Sequence, residues 1–160
     1  MSKTKRRRRQ KLPSDLVDLQ ISRLSHDGRG IAEIEGKVAF VAGALAGERV
    51  LAKYTGKHSQ YDELKVEEVL NAAPERREPP CNWAAICGGC SMQHISLEAQ
   101  LDLKQKTLFD QLEHAAKITG YERLTPIRAA GYSYRRKARL AVRYVHKKED
   151  TLVGFREKES

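Results

Sequence analysis

Residues 16–70 read as short alternating segments, each cut off within a few positions by a turn that carries glycine. Val17, Leu19 and Ile21 alternate with polar neighbours, the period of a strand with one buried face. The turn His26-Asp27-Gly28-Arg29-Gly30 comes next, then residues 31–35 and 37–41, which predict two strands joined at Gly36. Residues 43–47 make another turn, and Val50, Ala52 and Tyr54 resume the alternation. Residues 55–62 are polar and predict a loop, and residues 64–70 a fifth strand. Five short strands with tight turns predict a small β-barrel.

The rest of the chain has a different texture. Residues 73–80, Ala-Pro-Glu-Arg-Arg-Glu-Pro-Pro, predict a linker, because the paired prolines fix φ and exclude helix. Ser96 is placed to cap a helix, with Glu98 in its first turn. Leu97, Leu101, Leu108 and Leu112 then recur at helical spacing, and Gly120 can end the helix. That stripe predicts core packing. Residues 132–145 alternate basic and apolar residues, and residues 151–156 predict the return strand of a hairpin whose turn is residues 147–150.

Charge is unevenly placed along the 160 residues. The net charge is +9. Lys3, Lys5, Arg6, Arg7, Arg8, Arg9 and Lys11 form one basic block without an acid. Arg135, Arg136, Lys137, Arg139, Arg143, Lys147 and Lys148 form a second. Two such blocks favour a polyanionic partner, against the plainer reading of a solvated tail and a charged strand face. Residues 1–13 predict a disordered basic arm. No apolar run of membrane-spanning length occurs, and no apolar segment stands behind the basic start as in a secretory signal. These features predict a cytoplasmic, monomeric protein with no membrane partner.

The three cysteines lie within ten residues, as Cys81-x5-Cys87-Gly88-Gly89-Cys90. An odd, tight cluster argues against disulfides and for a soft-ligand centre. Gly88 and Gly89 keep side chains out of the space between two thiols, so that N–H groups can face sulfur. Three readings fit the spacing: zinc with His94 as a fourth ligand, a redox pair at Cys87 and Cys90, or a [4Fe–4S] cluster with a fourth cysteine outside this chain.

Several motifs occur in register with a known family. Ser25-His26-Asp27-Gly28-Arg29-Gly30-Ile31-Ala32, Gly36-Lys37-Val38-Ala39-Phe40-Val41 and Gly47-Glu48-Arg49-Val50 resemble the TRAM domain, a small OB-like β-barrel of RNA-modifying enzymes. Pro80-Cys81, Cys87-Gly88-Gly89-Cys90 and Gln93-His94 resemble the cluster segment of the RNA uracil-5 methyltransferases that carry a [4Fe–4S] centre. Residues 134–140, Tyr-Arg-Arg-Lys-Ala-Arg-Leu, and Gly154-Phe155-Arg156 resemble the stretch C-terminal to the cluster segment in that family. The resemblance covers residues 14–156, and it is greatest to enzymes acting on 23S rRNA.

That resemblance implies an α+β, β-rich chain: a TRAM barrel over residues 14–72, the linker over 73–80, and an iron–sulfur segment with a helix and a basic hairpin over 81–160. It implies metal ligation by Cys81, Cys87 and Cys90. The family's fourth cysteine, its S-adenosylmethionine-binding methyltransferase domain and its catalytic residues have no counterpart among these 160 residues. The chain is thus expected to bind RNA without transferring methyl groups. Arg135, Arg136, Lys137, Arg139 and Arg143 are the candidate RNA contacts, with Tyr132 and Tyr134 as stacking or core residues. The competing functions are a free-standing zinc RNA-binding protein using His94, a relative modifying another rRNA or tRNA uridine, and a cluster-based redox sensor.

Overall fold

The structure is a computed structural model, and it describes residues 11–158. The expected basic arm lies almost wholly outside the described residues. The chain divides between Arg76 and Arg77 into two compact units.

The first unit is one six-stranded sheet: β1 (Val17–Gln20), β2 (Arg23–Leu24), β3 (Gly30–Ile34), β4 (Lys37–Ala42), β5 (Arg49–Lys57) and β6 (Tyr61–Asn71). Its order is β1-β5-β6-β4-β3-β2, antiparallel throughout except for β4 against β6. The two edge strands are separated only by Ile21 and Ser22. The Ile21 N–H donates to Glu48 O at 2.8 Å on one side, and the Ser22 N–H to Ile31 O at 2.9 Å on the other. One bent strand therefore serves both edges, and the sheet closes into an OB-like barrel. The inward positions are apolar: Leu19, Ile21, Ala39, Val41, Val50, Ala52 and Leu64 are buried in the core. Each large aliphatic among them contributes about 1.5–3 kcal/mol by leaving water.

Glycine is required at two positions in this barrel, one for space and one for its backbone conformation. A Cβ on Gly30 would lie 2.9 Å from both the Ala44 Cβ and the Ile21 Cγ2. Gly43, at φ +84°, turns the chain out of β4 in a conformation that other residues rarely adopt. The loop expected over residues 55–62 is shorter than its polarity suggests. Strand β5 runs through Lys57 and β6 starts at Tyr61, leaving only residues 58–60 between them. The polar side chains there belong to strand ends whose outer face meets water.

A buried ion pair fastens the end of the barrel. The Glu48 side chain is fully buried. Its carboxylate accepts from the Leu45 N–H at 2.7 Å, the Ala73 N–H at 3.1 Å, and Arg76 Nε and Nη2 at 2.5 and 2.6 Å. Arg76 Nη2 also donates to the Gly43 carbonyl at 2.7 Å. Burial alone would raise the Glu48 pKa. The Arg76 hydrogen bonds and the two amide donors outweigh it and hold the carboxyl below its ordinary value. Half of the stretch expected to be a linker is therefore anchored to the barrel.

The second unit contains α1 (Leu97–Asp110) and a hairpin of β7 (Ala141–Val145) and β8 (Asp150–Gly154). Ser96 caps α1 as expected, its hydroxyl accepting from the Ala99 N–H at 3.3 Å. The helix does not run to Gly120. After Asp110 it widens into a single π-turn over Gln111–Ala115, and Lys117, at φ +58°, reverses the chain. The Ile118 N–H closes that reversal on Leu112 O at 2.8 Å. Tyr121 and Arg123 then return to bond the Glu113 carboxylate, both at 2.6 Å. These two hydrogen bonds hold the Glu113 carboxyl below its ordinary pKa. The leucine stripe is not core packing here. No residue of α1 is buried, and Leu97 and Leu108 are exposed. The first hairpin strand is also shorter than its alternation predicts. Strand β8 has five residues and leaves the ladder after Gly154, so residues 132–140 have no strand to pair with.

Candidate functional site

The cysteine loop is wound by short-range backbone bonds. The Ala84 N–H donates to Cys81 O at 3.0 Å, and the Cys87 N–H to Trp83 O at 2.8 Å. The chain after β8 then comes alongside. Cys87 and Glu157 form an antiparallel bridge. The Gly88 N–H donates to Arg156 O, and the Lys158 N–H to Ile86 O, both at 2.8 Å. Lys158 Nζ adds a bond to Ala84 O at 2.6 Å.

This bridge explains the double glycine better than ligand spacing alone. A Cβ on Gly88 would sit 2.9 Å from the Arg156 carbonyl oxygen, a backbone atom that cannot swing aside. A Cβ on Gly89 would meet the Phe155 ring at 3.1 Å and Cys87 Sγ at 3.4 Å. The Gly89 N–H points at Cys87 Sγ, 3.3 Å away, the kind of donor that stabilises a thiolate. Cys81 and Cys90 are exposed and Cys87 is partly buried, all as free thiols.

The donor chemistry of the loop suits a soft metal or a cluster. Among the described residues, however, no three His, Cys, Asp or Glu side chains are gathered closely enough to hold a metal ion. That applies to Cys81, Cys87 and Cys90, and to their combination with His94. His94 is partly buried, and its carbonyl accepts from the Arg77 N–H at 3.0 Å.

Beside the loop lies an open groove of about 650 Å³. One wall is residues 89–93, including Cys90. The second comes from α1, where Lys104 contributes a cation. The third is the extended segment containing Tyr132, Tyr134, Arg135, Arg136 and Lys137. That segment can run close to the helix because position 131 is glycine, where a Cβ would fall 2.4 Å from Leu97 Cδ2. Among the described residues no carboxylate forms an ion pair with Arg135, Arg136 or Lys137. Three of the five candidate RNA contacts thus share a groove with the cysteine loop. The other two do not line it: Arg139 lies further along the extended segment, and Arg143 stands exposed on β7, opposite Leu152. Tyr132 and Tyr134 are exposed, which removes the core alternative for them.

Comparison with known proteins bears on both units. The family model for the TRAM domain matches residues 13–61. The barrel continues past the matched residues through β6 to Asn71. Beyond that match, similarity runs along nearly the whole chain. It is 49% identical over 154 residues to a protein of Hahella chejuensis named 23S rRNA (uracil(1939)-C(5))-methyltransferase RlmD, covering 96% of this chain and 34% of that protein. Proteins of the same name from Alkalilimnicola ehrlichii and Alcanivorax borkumensis are each 47% identical, covering 96% and 95% of this chain and 35% and 34% of theirs. The chain spans about a third of the length of these relatives. Among the described residues no helix is long and apolar enough to cross a membrane.

Proposed function

We propose that this chain is the RNA-recognition portion of an S-adenosylmethionine-dependent enzyme that forms 5-methyluridine in 23S rRNA. The observation that carries this reading is the 49% identity along 96% of the chain to a protein of that name. The groove supports it: four cations, none in an ion pair among the described residues, and two exposed tyrosines line one open surface, the composition that suits phosphates and unstacked bases. Methylation at C5 needs an unpaired, accessible uracil, so recognition of a folded RNA loop is the task that falls to such a surface.

Cys81, Cys87 and Cys90 are proposed to hold a [4Fe–4S] cluster, with a fourth cysteine supplied by sequence beyond Ser160. Support comes from the bridge between Cys87 and Glu157, which brings the segment after Phe155 against the cysteine loop. The bound cluster would lock the loop, and with it one wall of the groove.

Two measurements test these statements. The 160-residue chain should bind a folded rRNA fragment, with affinity falling steeply as salt rises, and should transfer no label to it from S-adenosylmethionine. Salt-independent or undetectable binding overturns the recognition reading, and turnover overturns the assignment of the chemistry to other residues. A version extended through the next cysteine, purified anaerobically, should absorb near roughly 400 nm from sulfur-to-iron charge transfer. A colourless extended protein with stoichiometric zinc would favour the His94 alternative.

A further inference from the structure

The groove beside the cysteine loop also holds two carboxamides whose hydrogen-bonding ends are differently committed. Gln100 stands in the first turn of α1, its backbone N–H donating to Ser96 O at 2.9 Å. Its side-chain Nε2 donates twice, to Met92 O at 3.0 Å and to Ile95 O at 2.9 Å. Both N–H bonds of the amide are thus used, and the two carbonyls fix which end is nitrogen. The oxygen must face the other way. Among the described residues Gln100 Oε1 has no hydrogen-bond partner, and it is not buried. Gln100 lines the groove, so it presents a fixed acceptor there.

Gln93 is the complementary case. Its Oε1 is buried and has no hydrogen-bond partner among the described residues. A buried acceptor left unsatisfied is costly, and such groups gather where function demands them. With the oxygen turned inward, the NH2 end faces the groove, which Gln93 also lines. That end is not buried and makes no hydrogen bond among the described residues. Gln100 is tied to the carbonyls of Met92, one residue before Gln93, and Ile95, two residues after it. The two amides therefore stand where the loop wall meets the helix wall, with an uncommitted donor on Gln93 and a fixed acceptor on Gln100. The exposed rings of Tyr132 and Tyr134 line the third wall and suit the flat face of a base.

We infer that Gln93 and Gln100 select the class of base that the groove accepts, one that offers a ring N–H beside a carbonyl. Gln100 Oε1 accepts from the ring N–H, and Gln93 Nε2 donates to the neighbouring carbonyl oxygen. Uracil carries that pattern at N3–H and O4, and guanine carries it at N1–H and O6. Cytosine and adenine carry the reverse, a ring nitrogen that accepts beside an amino group that donates. Against them acceptor meets acceptor and donor meets donor, so both bonds are lost and both pairs repel. The inference rests on the RNA-recognition reading of the groove and adds a choice of base to it. Phosphate contacts and stacking are blind to this difference. The edge being read is open only in an unpaired base, so the amides also favour single strands and loops over duplex.

The test uses the full 160-residue chain and labelled single strands of about ten nucleotides. Binding is read by fluorescence anisotropy, at a salt concentration that suppresses contacts to phosphate alone. Oligo(U), oligo(C) and an oligomer of 3-methyluridine share length and charge and differ at the base edge. Oligo(U) should bind about tenfold more tightly than oligo(C), the discrimination of a good two-bond contact to a base. Methylation at N3 removes the ring donor and should bring the uridine oligomer to the level of oligo(C). Gln93→Met keeps the length of the side chain and removes its donor. It should weaken oligo(U) binding several-fold and leave oligo(C) binding unchanged. Gln100 also ties the backbone of residues 92–95, so the modified oligomer, rather than a variant, isolates its acceptor. Binding of oligo(U) and oligo(C) within about twofold of each other, or a preference for oligo(C), overturns the inference while the groove reading stands. So does a uridine preference that survives N3 methylation or Gln93→Met. Binding of none of the oligomers also overturns it, and if the chain then fails to bind a folded rRNA fragment, the groove reading falls as well.

Discussion

Replacing Arg76 by alanine tests the buried pair that fastens the end of the barrel. The Glu48 carboxylate accepts four hydrogen bonds, and Arg76 supplies two of them. Its removal leaves a fully buried carboxylate with only the Leu45 and Ala73 amides, and leaves the Gly43 carbonyl without this donor. Breaking a buried pair by deleting one partner costs about 3–5 kcal/mol. Because the Arg76 side chain remains 22% accessible and water can partly replace it, the lower end applies, about 3 kcal/mol. For a unit of this size that corresponds to a fall in Tm of about 12–24 °C. Trp83 lies in the other unit, so the assay is amide hydrogen exchange at Val41 and Val50, whose backbones sit in the ladder. The pH dependence carries a sign. In the unaltered chain the Glu48 pKa is depressed by folding. Its contribution is therefore fully present above the unfolded carboxyl pKa of about 4.3, and it is lost as pH falls through the lower folded value. Without Arg76 only the two amides oppose burial, so the depression of the carboxyl shrinks, and the loss of stability tied to Glu48 below the unfolded carboxyl pKa should shrink with it. An Arg76→Ala protein within 1 kcal/mol of the original, on the scale where buried pairs count for several, would refute the argument. So would an unchanged pH profile.

Three further outcomes are expected. Gly30→Ala should cost the barrel about 1–3 kcal/mol by overpacking against Ala44 and Ile21, read by chemical denaturation. Without a bound metal, Cys87 should react with a thiol probe more slowly than Cys81 or Cys90, and Gly88→Ala should erase that difference by driving Arg156 off the loop, read by mass spectrometry. Changing Arg135, Arg136 and Lys137 together to alanine should weaken binding to a folded rRNA fragment and reduce the salt slope by about 2, at roughly 0.7 for each phosphate no longer neutralised.

The barrel is legible in the sequence because its signals are local. Alternation at Val17, Leu19 and Ile21 and the turns at Gly28, Gly36, Gly43 and Gly47 each act within a few residues, and β1 to β6 track them closely. The bend at Ile21 and Ser22 is not legible. Nothing in two ordinary residues announces that the strand changes partners there, and only the closed sheet requires it. Arg76 reads as linker because its partner Glu48 is distant in sequence, and a buried charge pair has no local signature. The helix end is hidden because Lys117, rather than the glycine normally sought, takes the left-handed position. At the candidate site, charge and aromatic content identify residues 132–137, but their convergence with Lys104 and Cys90 depends on packing.

The shared edge strand also governs when the barrel can form. Strands β3 and β4 are neighbours in sequence and can zip as soon as both exist, as can β5 and β6. Strand β1 cannot do so, since Val17 to Gln20 pair with residues 49–52. On the ribosome the first strand made must therefore wait, with an open backbone edge, until β5 has emerged after the whole β3–β4 hairpin. Loop closure of this kind limits folding speed, because entropy is lost before the contacts that offset it are made. The waiting strand is short, and Asp18 and Gln20 sit in it beside Leu19. A polar edge of this length is a poor template for pairing with another nascent chain. The strand that must wait for its partner is thus also built to stay soluble while it waits.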